Sequence, residues 1–144
     1  MFEKSYIYDI TQINDMNKLF PNFKKIGHGI NYSFVGHLQP TENSPNYEIK
    51  IEYKYYQDTS KKVPHVYIMN PEISNPIHMY SDGSLCLYHP DNFQWSHNCS
   101  IAKVIVPWTS AWLYFYEKWL KTKVWLGDEV PHLPKILRIS KSKE

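Results

Sequence analysis

This 144-residue chain has no long apolar run. Its first residues, MFEKSYIYDI, carry acids early and no continuous hydrophobic stretch, so neither a secretory signal nor a membrane span is read there. A cytoplasmic protein without a membrane partner is expected. Cysteine is scarce as well: Cys86 and Cys99 are the only two, too few for a disulfide framework, and a reducing compartment keeps them as thiols. Packing, metal binding and chemistry remain as their uses. Nor is there an excess of one charge. Sixteen basic and fourteen acidic residues leave a formal charge of +2, which demands no nucleic acid, and the Lys-rich end KILRISKSKE reads as a solvated tail that frays over 135–144. No phosphate-cradling G-x-x-x-x-G-K-[ST] and no G-x-G-x-x-G after a strand occurs, so the chain shows no means of activating a carboxylate with ATP by itself, and no cofactor is expected.

Aromatic surface is what the chain has in plenty: 16% of its residues, twelve Tyr and five Trp among them. These predict large, shape-specific packing in which hydroxyl and indole groups need partners. The length fits a single domain, 1–144, with a core of its own. The segment DITQINDMNKLF has helical spacing, with Asp9 or Thr11 as candidate caps and Pro21 as its end. INYSFVGHL alternates with Ile30, Tyr32 and Phe34 on one face. YEIKIEYKYY alternates almost perfectly, with Tyr47, Ile49, Ile51, Tyr53 and Tyr55 inward and Glu48, Lys50, Glu52 and Lys54 towards solvent. With HVYIM these strands make a three- or four-stranded antiparallel meander. Prolines then forbid long regular structure between Met69 and Trp95, yet the apolar residues of that stretch argue that it is packed down. A second helical region begins after Ser100, a good cap, and carries an apolar stripe from Ile101 to Trp119 that suits a core better than a cofactor. Pro107 predicts a kink or a break into two helices, and Gly127 a stop. The fold class is α+β.

The stretch SDGSLCLYHPDNFQW holds the chemistry. Cys86 between two leucines fits a small buried hydrophobe. It also follows a tight turn at Asp82-Gly83 and precedes Tyr88 and His89, the partly exposed polar setting in which a thiolate nucleophile forms. Both readings stand on composition alone. Cys99, beside a helix start, reads as packing. Cys86 and His89 have a C-x-x-H spacing with His97 and Cys99 nearby, but H-x-C is a poor second pair for zinc, and no metal is expected. A cysteine hydrolase would need a His and an Asn or Asp brought to Cys86, and no local signature supports one.

The order of elements resembles the ubiquitin-conjugating enzyme fold. In that family a His-Pro-Asn element precedes the catalytic Cys, a G-x-[IL]-C-L core surrounds it, and a Trp-Ser pair comes before a helix. Here Pro76-Ile77-His78 lie ten to eight residues before Cys86, followed by Gly83-Ser84-Leu85-Cys86-Leu87, then Trp95-Ser96. The resemblance covers roughly Ile30 to Val106. It implies that Cys86 forms a thioester and that His78 stands where the family has its oxyanion-stabilising Asn, a departure that an imidazole N–H donor can accommodate.

The C-terminal part, PWTSAWLYFYEKWLKTKVWLGDEVPH, looks like that of bacterial ubiquitin-conjugating-like proteins of anti-phage operons, notably the short form of the cyclic-oligonucleotide-based (CBASS) systems. That resemblance implies a cGAS/DncV-like nucleotidyltransferase as partner, or another protein carrying a C-terminal acyl group, and adds Glu129 and His132 as candidate site residues. His89, Asp91, His97 and His132 are candidate bases or thiol-activating neighbours. The expected function is that of a transferase: Cys86 takes a protein C-terminus as thioester and passes it to an amine, after loading by a separate activating enzyme or by exchange with an activated acyl group. Two alternatives stand beside it, a binding scaffold of the same fold and a cysteine hydrolase that deconjugates.

Overall fold

The alternating run YEIKIEYKY becomes an inner strand of an antiparallel sheet. In the computed structural model, which describes residues 2–55, 61–73, 78–89 and 91–125, with the backbone alone for 2–6, four strands follow one another in chain order. They are β1 (Lys24–Ile26), β2 (Tyr32–Leu38), β3 (Tyr47–Tyr55) and β4 (Lys62–Asn70), and each pairs antiparallel with the next. Period-two alternation puts Tyr47, Ile49, Ile51 and Tyr53 on the core face, all 2% exposed or less. Tyr55 and Ile30, expected on the same faces, are instead 40% and 41% exposed, because β3 ends at Tyr55 and β2 starts only at Tyr32. In β2, Gly36 lets Phe23 pack against the strand: a Cβ there would lie 2.4 Å from the Phe23 ring.

Helix α1 (Phe2–Leu19) starts earlier than its periodicity indicated. Asp9, expected as a cap, lies within it and is nearly buried. Its Oδ1 accepts the Tyr32 hydroxyl at 2.8 Å and the Lys62 ammonium at 2.9 Å, an ion pair that ties the helix to the sheet. Lys62 also donates to the Ile30 carbonyl at 2.7 Å and faces the rings of Tyr53, Tyr32 and Tyr55 at 4.4, 5.1 and 5.4 Å. Burial and the Asp9 hydrogen bond push the Tyr32 hydroxyl far above its ordinary pKa, so it acts here as a donor.

At Pro107 the expected break takes an unexpected form. Residues Ile101–Ile105 make a π-helical turn, and α2 (Val106–Thr122) begins directly after it. The Val106 N–H reaches five residues back to the Ile101 carbonyl, and Pro107 falls in the first turn of α2, where its missing N–H costs nothing. Ser100 caps the turn as expected, accepting the Lys103 N–H at 3.2 Å, while its own hydroxyl donates to Asp15 on α1 at 2.7 Å. Gln12 completes the joint: it donates to the Cys99 carbonyl at 2.6 Å and accepts the Ile101 N–H at 2.8 Å. α2 ends at Lys123, left-handed at φ 61°, whose N–H bonds the Trp119 carbonyl; Gly127, the expected stop, and the tail over 135–144 lie outside the described residues.

The core lies between the sheet and the two helices, where Ile49, Ile51 and Val66 meet Ile101, Ile105, Trp112 and Leu113. Glu117 on α2 accepts the Tyr47 hydroxyl at 2.8 Å and the Ser44 hydroxyl at 2.9 Å, which fixes the helix over the sheet. The architecture is α+β, with an N-terminal helix, an antiparallel meander and a C-terminal helix, as the resemblance to ubiquitin-conjugating enzymes implies. Among the described residues no helix is long and apolar enough to cross a membrane.

Candidate active site

Cys86 sits on the returning strand of a miniature hairpin, not in a formless loop. Met79 and Leu85 form an antiparallel bridge. It is flanked by the Tyr80 N–H bonded to the Ser84 carbonyl and the Cys86 N–H bonded to the His78 carbonyl, both at 2.9 Å. The Gly83 N–H closes the turn onto the Tyr80 carbonyl at 3.0 Å, and Gly83 has φ 90°, a conformation that a side chain would strain. Asp82 ties the turn from within: its Oδ1 accepts the Ser84 N–H at 2.9 Å and the Ser84 hydroxyl at 2.6 Å. Those two bonds, and then His65 at 3.5 Å, hold the Asp82 carboxyl below the usual carboxylate range.

A third backbone bond docks the hairpin on the sheet, with the Leu85 N–H donating to the Val66 carbonyl of β4 at 2.9 Å. Leu85 and Leu87 are buried on either side of Cys86, so alternation turns the thiol away from the core, and Cys86 is half-buried. Its S–H donates a long bond to the Tyr88 carbonyl at 3.9 Å. The composition-only reading as core filler fits the two leucines, not the cysteine between them.

His78 adopts φ 61°, a left-handed conformation that His tolerates better than most non-glycine residues. Its carbonyl accepts two donors, the Cys86 N–H and, at 3.3 Å, the indole N–H of Trp112 on α2. The imidazole lies edge-on to Trp125, ring centroids 4.9 Å apart, and burial lowers its pKa below 6.5, so it is neutral at pH 7. Trp125 in turn rests on Trp112 at 5.4 Å. Downstream of the cysteine, Tyr88, Phe93 and Trp108 pack as an aromatic triangle with centroids 4.9 to 5.8 Å apart. Trp95 then donates its indole N–H to Tyr53 at 3.1 Å. The segment after Cys86 is thereby pinned to α2 and β3.

Beside the hairpin, between it and β4, lies a cleft of about 360 Å³ lined by Val63, Pro64, His65, Tyr80, Asp82 and Leu87 among others. The Tyr80 side chain, one of those lining the cleft, is 49% exposed.

The sequence pattern of the E2-CBASS family, type II CBASS E2 proteins, matches residues 12–133. The chain belongs to this family. No curated protein matches the sequence. Membership makes it an E2-like protein of anti-phage defence and implies a protein partner within a CBASS system.

In this E2 the residues expected at the site are not all together. Cys86 and His78 are joined directly through the backbone. His89 and Asp91 engage each other: the Asp91 N–H donates to His89 Nδ1 at 3.1 Å, which requires a bare Nδ1 and makes the carboxylate contact at 3.4 Å no ion pair in the neutral form. Both shape the turn in which the Asn92 N–H bonds the His89 carbonyl. His97 packs on Tyr8 of α1 at 4.1 Å and lines a separate cavity of about 500 Å³ with Gln12, Asp15, Cys99 and Lys103. Glu129 and His132 lie outside the described residues. Among the described residues no three His, Cys, Asp or Glu side chains are grouped to hold a metal ion. Reading by motif missed Trp112: nothing in the sequence marks it, thirty-four residues from the carbonyl it holds.

Proposed function

We propose that this E2 is a cysteine acyl transferase acting in the cytoplasm. The Cys86 thiolate attacks an activated C-terminal carbonyl: the C–S bond forms and the activating group leaves. An amine nitrogen then attacks the thioester, the C–N bond forms, the C–S bond breaks with its electron pair returning to sulfur, and the amine proton passes to solvent or a nearby base. The observation that carries this reading is the way Cys86 is held. Three backbone bonds fix the hairpin that carries it, and it stands half-buried between two buried leucines. His78, neutral and at the family's Asn position, is the proposed donor to the oxyanion. His89, three residues after Cys86, is the proposed local base; His97, which packs on Tyr8 of α1, is given no role in this reading. The proposed acyl group is the C-terminus of a cGAS/DncV-like nucleotidyltransferase, loaded by a separate activating enzyme.

Intact-mass spectrometry of the protein purified from cells that co-express the nucleotidyltransferase tests this. A covalent adduct cleaved by excess thiol, absent from Cys86→Ala and retained in Cys99→Ala, is the expected result. A stable complex indifferent to Cys86→Ser would replace the transferase with a scaffold, and loss of mass from a preformed conjugate would make the protein a hydrolase.

A further inference from the structure

The bond from the Cys86 N–H to the His78 carbonyl joins two parts of one hairpin and moves with it. Three attachments tie that hairpin to the sheet, and all of them run along β4. The Leu85 N–H bonds the Val66 carbonyl at 2.9 Å, and at the tip Asp82 meets Tyr67 and His65 at 3.4 and 3.5 Å. Attachments along one strand leave a hinge about that strand. The burial of Leu85 sets the hairpin's depth but not its tilt, since apolar attraction has no direction. Trp112 supplies a point off that line: from α2, across the core, its indole N–H reaches the His78 carbonyl at 3.3 Å, at the base of the hairpin. The donor is itself held in place. Trp112 is 3% exposed, stacked at 14° on Tyr116 with centroids 5.5 Å apart, and met by Trp125 at 5.4 Å.

We infer that Trp112 is a positioning residue for acyl transfer: by holding the His78 carbonyl it sets the base of the hairpin, the Cys86 backbone and the His78 imidazole together. The inference rests on the reading of Cys86 as the acyl carrier and of His78 as the oxyanion donor. His78 has φ 61°, and a non-glycine residue stays left-handed only where its surroundings hold it there. Both of its ends depend on Trp112. The carbonyl takes the indole N–H, and the imidazole lies edge-on to Trp125 at 4.9 Å, a ring that in turn rests on Trp112. A neutral imidazole has a single N–H to give, so a swing of the His78 ring moves the donor off the oxyanion formed at Cys86. A misplacement of about 1 Å can cost a transfer step about a hundredfold. Trp112 acts through His78 and not on the reacting atoms.

The test removes the indole N–H alone. A 3-benzothienylalanine at position 112 puts sulfur in its place and keeps the bicyclic ring on which Tyr116 and Trp125 pack; Trp112→Phe is the second variant and should show the same pattern. In amide exchange of the full chain, followed by NMR, the Cys86 N–H should exchange about three- to tenfold faster, with the amides of β3 unmoved. In cells that co-express the nucleotidyltransferase, the thiol-cleavable adduct per bound partner should fall about tenfold, with the amount of bound partner unchanged. Exchange that quickens equally at every amide would reduce Trp112 to a contributor to general stability and overturn the inference, as would a Cys86 amide unmoved in both variants. The two readings fail separately. An adduct that persists in Cys86→Ala sinks the transferase reading and this inference with it, whereas a Cys86-dependent adduct formed at wild-type yield without the indole N–H overturns the inference alone.

Discussion

Lys62→Met should cost this protein about 3 kcal/mol of stability. The Lys62 and Asp9 side chains are 8% and 11% exposed and meet at 2.9 Å, so the pair is nearly removed from water. Breaking a buried pair by deleting one partner typically costs about 3–5 kcal/mol, because the survivor keeps its charge without its counter-ion. Methionine preserves the volume of the lysine stem, which limits the cavity contribution. Asp9 also keeps the Tyr32 hydroxyl at 2.8 Å, which places the expected value at the lower end of that range. Lost attraction to the three tyrosine rings and the lost bond to the Ile30 carbonyl act in the same direction. Urea unfolding of the full chain, followed by tryptophan fluorescence, reads this as a midpoint lowered by about 1–3 M, given slopes of about 1–3 kcal/mol/M. Asp9→Leu combined with Lys62→Met should lose less than the two single changes together, since no charge is then left unpaired. A Lys62→Met midpoint within about 0.3 M of wild type would refute the argument and make the pair an ornament of the surface.

His78 gives a pH dependence of defined sign. Its folded-state pKa lies below 6.5, so as pH falls through 6.5 the unfolded chain takes up a proton that the folded protein resists, and stability drops; above that range the penalty is absent. His78→Asn, which also tolerates the left-handed backbone, should flatten the loss between pH 7.5 and 5.5 in thermal melts, whereas an unchanged slope would show that other groups set it. Gly36→Ala should destabilise by about 1–3 kcal/mol in the same urea assay, because its Cβ would overlap the Phe23 ring at 2.4 Å and Asn22 Oδ1 at 2.7 Å; a neutral result would mean that Phe23 moves aside freely.

What the sequence made legible follows from how far apart the interacting residues lie. β3 was readable because its alternation is local, and the break near Pro107 because a missing N–H is a property of one residue. Asp9 was misread as a cap because its partners, Tyr32 and Lys62, are 23 and 53 positions away and nothing beside it signals them. The π turn left no mark either: Ile101–Ile105 are ordinary helix residues, and Pro107 announces an interruption without fixing its form. At the candidate site, Cys86 and His78 were singled out by the resemblance to the ubiquitin-conjugating motif, and the backbone joins the two. His89, Asp91 and His97 were grouped with them by proximity in sequence, yet a loop is free to turn its histidines elsewhere, and here one pair caps its own turn while His97 leaves for α1.

Both lone pairs of the His78 carbonyl oxygen are spoken for, one by Trp112 and one by the backbone of Cys86. Two hydrogen bonds are therefore the whole distance between the long helix and Cys86. The helix and the thiol share one point of reference, and a partner that grips α2 grips the frame of Cys86 itself.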